Sequence, residues 1–153
     1  MIGIEPKNSL LDWILNFLKN KDLIYNKIIK IEENSLGYDA VITYKDKVQN
    51  ILIIPSLDEI SPLMSSFKGD NNLIVTLNSK ESLDFLIIHW KEFINFKNIV
   101  LYFVNPFSAL EKKWIIFPHT HNKICDEKTL KQGLISIFQT VEEISYETFK
   151  SNI

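Results

Sequence analysis

The sequence predicts a single α/β domain over residues 1–153, a mixed β-sheet that contains an antiparallel three-strand meander and is flanked by helices. Three observations carry that expectation. Strand-length runs rich in β-branched and aromatic residues recur between Leu23 and Phe117. Apolar stripes at helical spacing stand before, among and after them. No linker, repeat or low-complexity tract divides the chain. A length of 153 residues suits one hydrophobic core, and 46% apolar residues with four glycines and five prolines exclude disordered and collagen-like classes.

The elements follow in order. Asn8 or Ser9 can cap a helix in which Leu10, Leu11, Ile14, Leu15, Phe17 and Leu18 recur at three and four, ending near Asn20. Leu23 to Glu33 reads as a first strand, with residues 33–37 as a connection. Tyr38 to Tyr44 is the second strand, Lys45-Asp46-Lys47 a hairpin turn, and Val48 to Ile54 the third strand. Ile51-Leu52-Ile53-Ile54 is apolar on both faces and therefore central. A short helix around Leu57 to Phe67 is interrupted by Pro62. Asn72 to Leu77 forms a strand, and Ser79 caps a helix whose stripe includes Leu83, Leu86, Ile87, Trp90, Phe93 and Ile94. Trp90 and Phe93 read as core. Ile99 to Val104 is a buried strand, Asn105 to Ser108 a loop, and Trp114 to Phe117 a further strand. Asp126 caps a last helix carrying Leu130, Leu134, Ile137, Phe138, Val141 and Ile144. Phe107 and Trp114 are the aromatics expected at the surface, where an apolar patch would mark a partner surface.

Composition bounds the function. The longest strictly apolar runs, such as Ile99 to Val104, fall far short of the roughly 20 residues that cross a bilayer, so no membrane partner is expected. Residues 1–6 show no secretory pattern, and one cysteine, Cys125, excludes an internal disulfide; both fit a cytoplasmic protein. All 17 basic residues are lysine, set against 19 acids for a formal charge of −2. Without arginine there is no bidentate guanidinium fork, and without net positive charge no global field draws the chain to DNA. Any phosphate contact falls to lysine point charges.

Local constellations are sparse. Lys27, Lys30, Lys45 and Lys47 gather around the first hairpin with Tyr25, Tyr38 and Tyr44, which suits DNA binding by phosphate contact and stacking. A solvated strand face, its charge diluted by Glu32, Glu33 and Asp46, explains the same residues. His119 and His121 in extended backbone would face one way, toward a metal completed by Cys125, although a surface loop with a partly buried thiol explains them more simply. The four glycines are isolated from one another, which argues against a phosphate-cradling loop and leaves no cofactor expected from motif.

The element order, with Leu73 to Glu81, Leu83 to Leu86, Ile99 to Phe103 and Lys113 to Pro118, resembles the restriction-endonuclease-like PD-(D/E)XK superfamily, and within it the archaeal Holliday junction resolvases. That resemblance implies an acid on the second meander strand, an acid-X-lysine triplet on the third, and an acid from the first helix, together holding Mg²⁺. Asp39 stands at the first position and Asp12 at the helix position. The third strand departs from the pattern, because Pro55 falls where the acid belongs and Leu57 where the lysine belongs. The resemblance therefore implies a catalytically degenerate resolvase-like protein that works by binding a protein partner, a second copy of itself or branched DNA, in DNA repair or recombination. The alternative is an active metal-dependent endonuclease with a rearranged site, in which Asp58 or Glu59 supplies the migrated carboxylate and Lys68 the migrated ammonium beside Asp39 and Asp12.

Overall fold

A computed structural model describes residues 5–58 and 71–153. The helix expected around residues 57–67 lies largely outside them, as do Glu59 and Lys68. The chain runs α1 (Pro6–Tyr25), β1 (Ile28–Ser35), β2 (Tyr38–Tyr44), β3 (Val48–Ile53), β4 (Asn72–Leu77), α2 (Lys80–Ile88), α3 (Trp90–Phe93), β5 (Ile99–Val104), β6 (Lys113–Ile116), α4 (Pro118–Ile124), α5 (Leu130–Phe138) and α6 (Tyr146–Asn152).

The six strands form one sheet in sequence order. β1, β2 and β3 make the expected antiparallel meander, with Ala40 opposite Ile51. β4 runs parallel to β3, β5 parallel to β4, and β6 returns antiparallel to β5. Every residue of β4 and of β5 is buried, as parallel strands covered on both faces must be.

Strand periodicity sorts these residues into two cores. Leu73, Val75 and Leu77 of β4 share one face with Val100, Tyr102 and Val104 of β5, and pack on Leu10, Ile14 and Leu18 of α1 and Phe149 of α6. Ile74 of β4 and Leu101 and Phe103 of β5 face the other way, onto Leu86 of α2, Phe93 of α3 and Leu134 of α5. The result is an open mixed sheet between two helical layers. Among the described residues no helix is long and apolar enough to cross a membrane.

Several boundaries differ from expectation, each for a local reason. α1 starts at Pro6, whose missing N–H costs nothing in a first turn, so Asn8 and Ser9 lie inside the helix and not at its cap. It also continues through Leu23, Ile24 and Tyr25, which stay exposed instead of opening β1. Asn26 stops it in the left-handed region (φ 49°), and its N–H donates to the Asp22 carbonyl. The Asp22 carboxylate then accepts the N–H groups of Lys27 at 2.8 Å and Ile28 at 2.9 Å, fixing where β1 begins. A register shift between Ile28 and Lys30 bulges this edge strand. Trp114 is buried and stacked on Phe103, so of the two aromatics expected at the surface only Phe107 is exposed.

The last helix is the largest departure: α5 ends at Phe138 and α6 begins at Tyr146. Asn78, fully buried just after β4, explains the break. Its Nδ2 donates to the carbonyls of Phe138 at 3.2 Å, Val141 at 3.0 Å and Glu142 at 3.4 Å. Its Oδ1 accepts from Trp114 Nε1 at 2.7 Å, and its backbone carbonyl accepts from Ile144 N–H at 3.0 Å. Carbonyls that a continuing helix would have to satisfy internally are thus taken by one side chain. Val141 and Ile144 remain buried, as their apolar character requires.

Replacing Asn78 by alanine should lower the unfolding free energy by about 3 kcal/mol, because it strands buried carbonyls and an indole N–H together. Urea denaturation should show an earlier midpoint with an unchanged slope. A loss under about 1 kcal/mol would show that the clamp is dispensable.

Candidate functional site

Asp39, the acid on β2 that the sequence singled out, is engaged on both oxygens. Oδ2 accepts the Ile53 N–H at 2.7 Å, and Oδ1 pairs with Lys7 Nζ at 2.8 Å. Asp12 lies on an exposed position of α1. Pro55 and Leu57 are built into the sheet margin. The Pro55 carbonyl accepts from Leu77 N–H and from Thr76 Oγ1, and Leu57 is buried in the second core. Among the described residues no group of three or more His, Cys, Asp or Glu side chains could hold a metal ion.

His119 and His121 are helical, in α4, and not extended. Two positions on a helix differ by about 200° in direction, so the rings diverge. His119 Nδ1 contacts the Ile94 carbonyl at 2.8 Å, and the His121 ring meets Trp90 edge-on at 5.8 Å. Cys125 is the half-buried residue that ends the helix.

A cavity of about 460 Å³ opens at the opposite end of the sheet from Asp39. It lies between the last turns of α1, the β2–β3 hairpin, and the first residues of β4 and β5. Its buried wall includes Leu18, Ile99, Val100 and Tyr102, while the lysines that line it, Lys21, Lys27, Lys47 and Lys97, are exposed at its rim. Tyr25 and Tyr44 complete it from the helix end and the hairpin.

The structure brings together part of the lysine cluster seen in the sequence. Lys27 and Lys47 line the cavity; Lys30 and Lys45 do not. Lys30 pairs with Glu32 at 3.2 Å on the edge strand. Lys45 is exposed on the hairpin, where its N–H donates to the Lys27 carbonyl. Tyr38 sits at the far end of β2 from Tyr44, about 20 Å away at strand rise. Lys21 and Lys97 are newly recruited. Lys21 stands about one turn before Tyr25 on α1, and the pairing of β3 with β4 and β4 with β5 brings Lys97 to the hairpin.

Four lysines and two carboxylates, Asp22 and Asp46, line the cavity, so cations outnumber anions there. Both Asp22 oxygens accept backbone N–H groups without losing their charge, and Asp46 lies 3.6 Å from Lys27. Lys47 Nζ stands 5.1 Å from the Tyr44 ring centroid, a cation–π arrangement. Among the described residues Lys21 and Lys97 form no ion pair. Burial, followed by the nearby Asp22 carboxylate, pushes the Tyr44 phenol from 10.0 up to about 12, and burial also raises Tyr102. Both hydroxyls are therefore neutral at physiological pH, and the Tyr44 hydroxyl donates to Gln49 Oε1 at 3.5 Å.

Two measurements check this description. In a spectrophotometric titration Tyr44 and Tyr102 should ionise after the other tyrosines, and Tyr44→Phe should remove the most alkaline step. Between pH 10 and about 12 the unfolded chain loses the Tyr44 proton while the folded chain keeps it, so stability should fall with rising pH across that window. For the other site, Asp39→Ala strips the Ile53 N–H and should cost about 1–2 kcal/mol. Lys7→Ala, at a half-exposed ammonium, should cost less than about 1 kcal/mol. The reverse order in urea denaturation would contradict the geometry given for Asp39.

In comparisons with known proteins, no family model, no curated protein and no solved structure matched the chain.

Proposed function

We propose that this chain is a binding protein whose ligand is nucleic acid, held and not cut. One observation carries the proposal: four lysines, from α1, the α1–β1 connection, the hairpin and the approach to β5, converge with Tyr25 and Tyr44 on one cavity and outnumber its two carboxylates, Asp22 and Asp46. Lysine charge beside aromatic rings is what a phosphate-bearing, stacking ligand requires. With a formal charge of −2 the chain offers this attraction locally and not over its whole surface, so affinity should be modest and sharply salt-dependent.

The resemblance to resolvases supports the same reading from another side. A nuclease-like sheet whose third-strand triplet reads Pro55-Ser56-Leu57, and whose Asp39 is tied to Lys7 and Ile53, would keep the architecture for DNA repair or recombination without its hydrolytic centre. Two-fold pairing of such a chain would match a two-fold junction.

Fluorescence anisotropy with a labelled four-way junction and a single strand tests the proposal. Binding should weaken between 50 and 200 mM salt with a logarithmic slope of about −3, one unit per phosphate contact. The double variant Lys27→Glu, Lys47→Glu should lose at least about tenfold in affinity. No cleavage should follow with Mg²⁺ or Mn²⁺. Absence of binding at about 50 mM salt, with a stable dimer or hetero-complex in its place, would overturn nucleic acid in favour of a protein partner. Metal-dependent cleavage abolished by Asp39→Asn would overturn the non-cutting reading.

A further inference from the structure

We infer that the basic cavity takes a single nucleotide carrying a terminal phosphate monoester, with the base inside and the phosphate at the lysine rim. The inference rests on the reading of this cavity as a phosphate site and narrows what enters it. Size comes first. A volume of about 460 Å³ matches one small ligand, so a duplex or junction can meet the cavity only at its lysine rim.

Polarity is graded from inside to outside. The buried wall of Leu18, Ile99, Val100 and Tyr102 offers an apolar slot for a flat ring. Carboxamides of Gln49, Asn71 and Asn98 are also on the lining. Gln49 Oε1 accepts from the Tyr44 hydroxyl at 3.5 Å and Asn71 Nδ2 donates to the Val48 carbonyl at 3.3 Å, which leaves their other amide atoms and the Asn98 carboxamide for the edges of a base. At the mouth, Tyr25 is 65% and Phe117 is 55% exposed, large aromatic surfaces left in water beside the lysines. Such rings can stack on a base or cover a sugar.

Charge placement separates an end group from a strand interior. An internal phosphodiester carries one negative charge and would be tracked by cations spread along a path. Beyond the cavity, however, Lys30 is spent on Glu32, and Lys45 stands apart on the hairpin. Lys21 and Lys97, without ion pairs among the described residues, line the cavity with Lys27 and Lys47, four cations against the two carboxylates Asp22 and Asp46. A phosphate monoester, with nearly two negative charges at neutral pH, answers that concentration better than a diester. Such a group occurs as a free mononucleotide and as the phosphorylated end of a strand.

Isothermal titration calorimetry on the whole chain at low salt distinguishes these sources, using AMP, adenosine, inorganic phosphate and a single-stranded hexamer with or without a 5′-phosphate. AMP should bind at least about tenfold more tightly than adenosine or phosphate alone, since it uses both halves of the cavity. The 5′-phosphorylated hexamer should bind more tightly than its 5′-hydroxyl form and should be displaced by AMP. The double variant Lys21→Ala, Lys97→Ala, at exposed positions, should weaken both ligands by at least about tenfold while its circular dichroism stays unchanged. Binding of AMP but of neither hexamer would uphold the nucleotide site and overturn nucleic acid as the ligand. Equal binding of both hexamers without competition by AMP would overturn the end-group inference and leave nucleic-acid binding standing. Phosphotyrosine binding more tightly than AMP would overturn the assignment of a base to the apolar slot.

Discussion

The Asn78 side chain holds the two halves of this domain in register. It sits where β4 leaves the sheet, and through Phe138, Val141, Glu142 and Trp114 it joins β4, β6 and the chain between α5 and α6. Buried amide groups left without partners are costly, so this one residue turns a point of weakness into a point of definition. Asn105, after β5, repeats the arrangement by donating to the Glu142 carbonyl at 2.9 Å. Thr76 and Ser82, 3.0 Å apart, do similar work beside Pro55.

That network also decides where a ligand can go. Open α/β sheets usually receive ligands beyond the carboxyl ends of their parallel strands. Here the ends of β4 and β5 are covered by residues 139–145, whose polar groups are matched to Asn78, Asn105 and Ser108. The open volume lies at the opposite end, where β4 and β5 begin and where four lysines outnumber the two carboxylates, Asp22 and Asp46, on the lining. Asp22 keeps its charge there while its oxygens fix the start of β1.

Much of the sheet was legible in the sequence because strand signals are local. The β-branched and aromatic run of β2, the apolar runs in β4 and β5, and the hairpin at residues 45–47 need no knowledge of distant residues. The ends of the helices were less legible. Leu23-Ile24-Tyr25 has strand-like composition yet finishes α1, because Asp22 and Asn26 place the turn after it. The break after Phe138 depends on a residue 60 positions earlier in the chain. The cavity was half legible: Lys21, Tyr25 and Lys27 are near one another in sequence, as are Tyr44 and Lys47, whereas Lys97 arrives only through strand order.

The bulged first strand governs how copies of this chain can meet. β1 is an edge of the sheet, and its outward row carries Lys30, Glu32 and Glu33 around a register shift. Charges and bulges on an edge oppose the addition of another strand. At the other edge β6 has only four residues, and the neighbouring Glu111 is already bridged to Val141. Continuous sheet pairing between copies is therefore disfavoured at both margins, which protects the chain from open-ended assembly and directs any self-association to its helical faces.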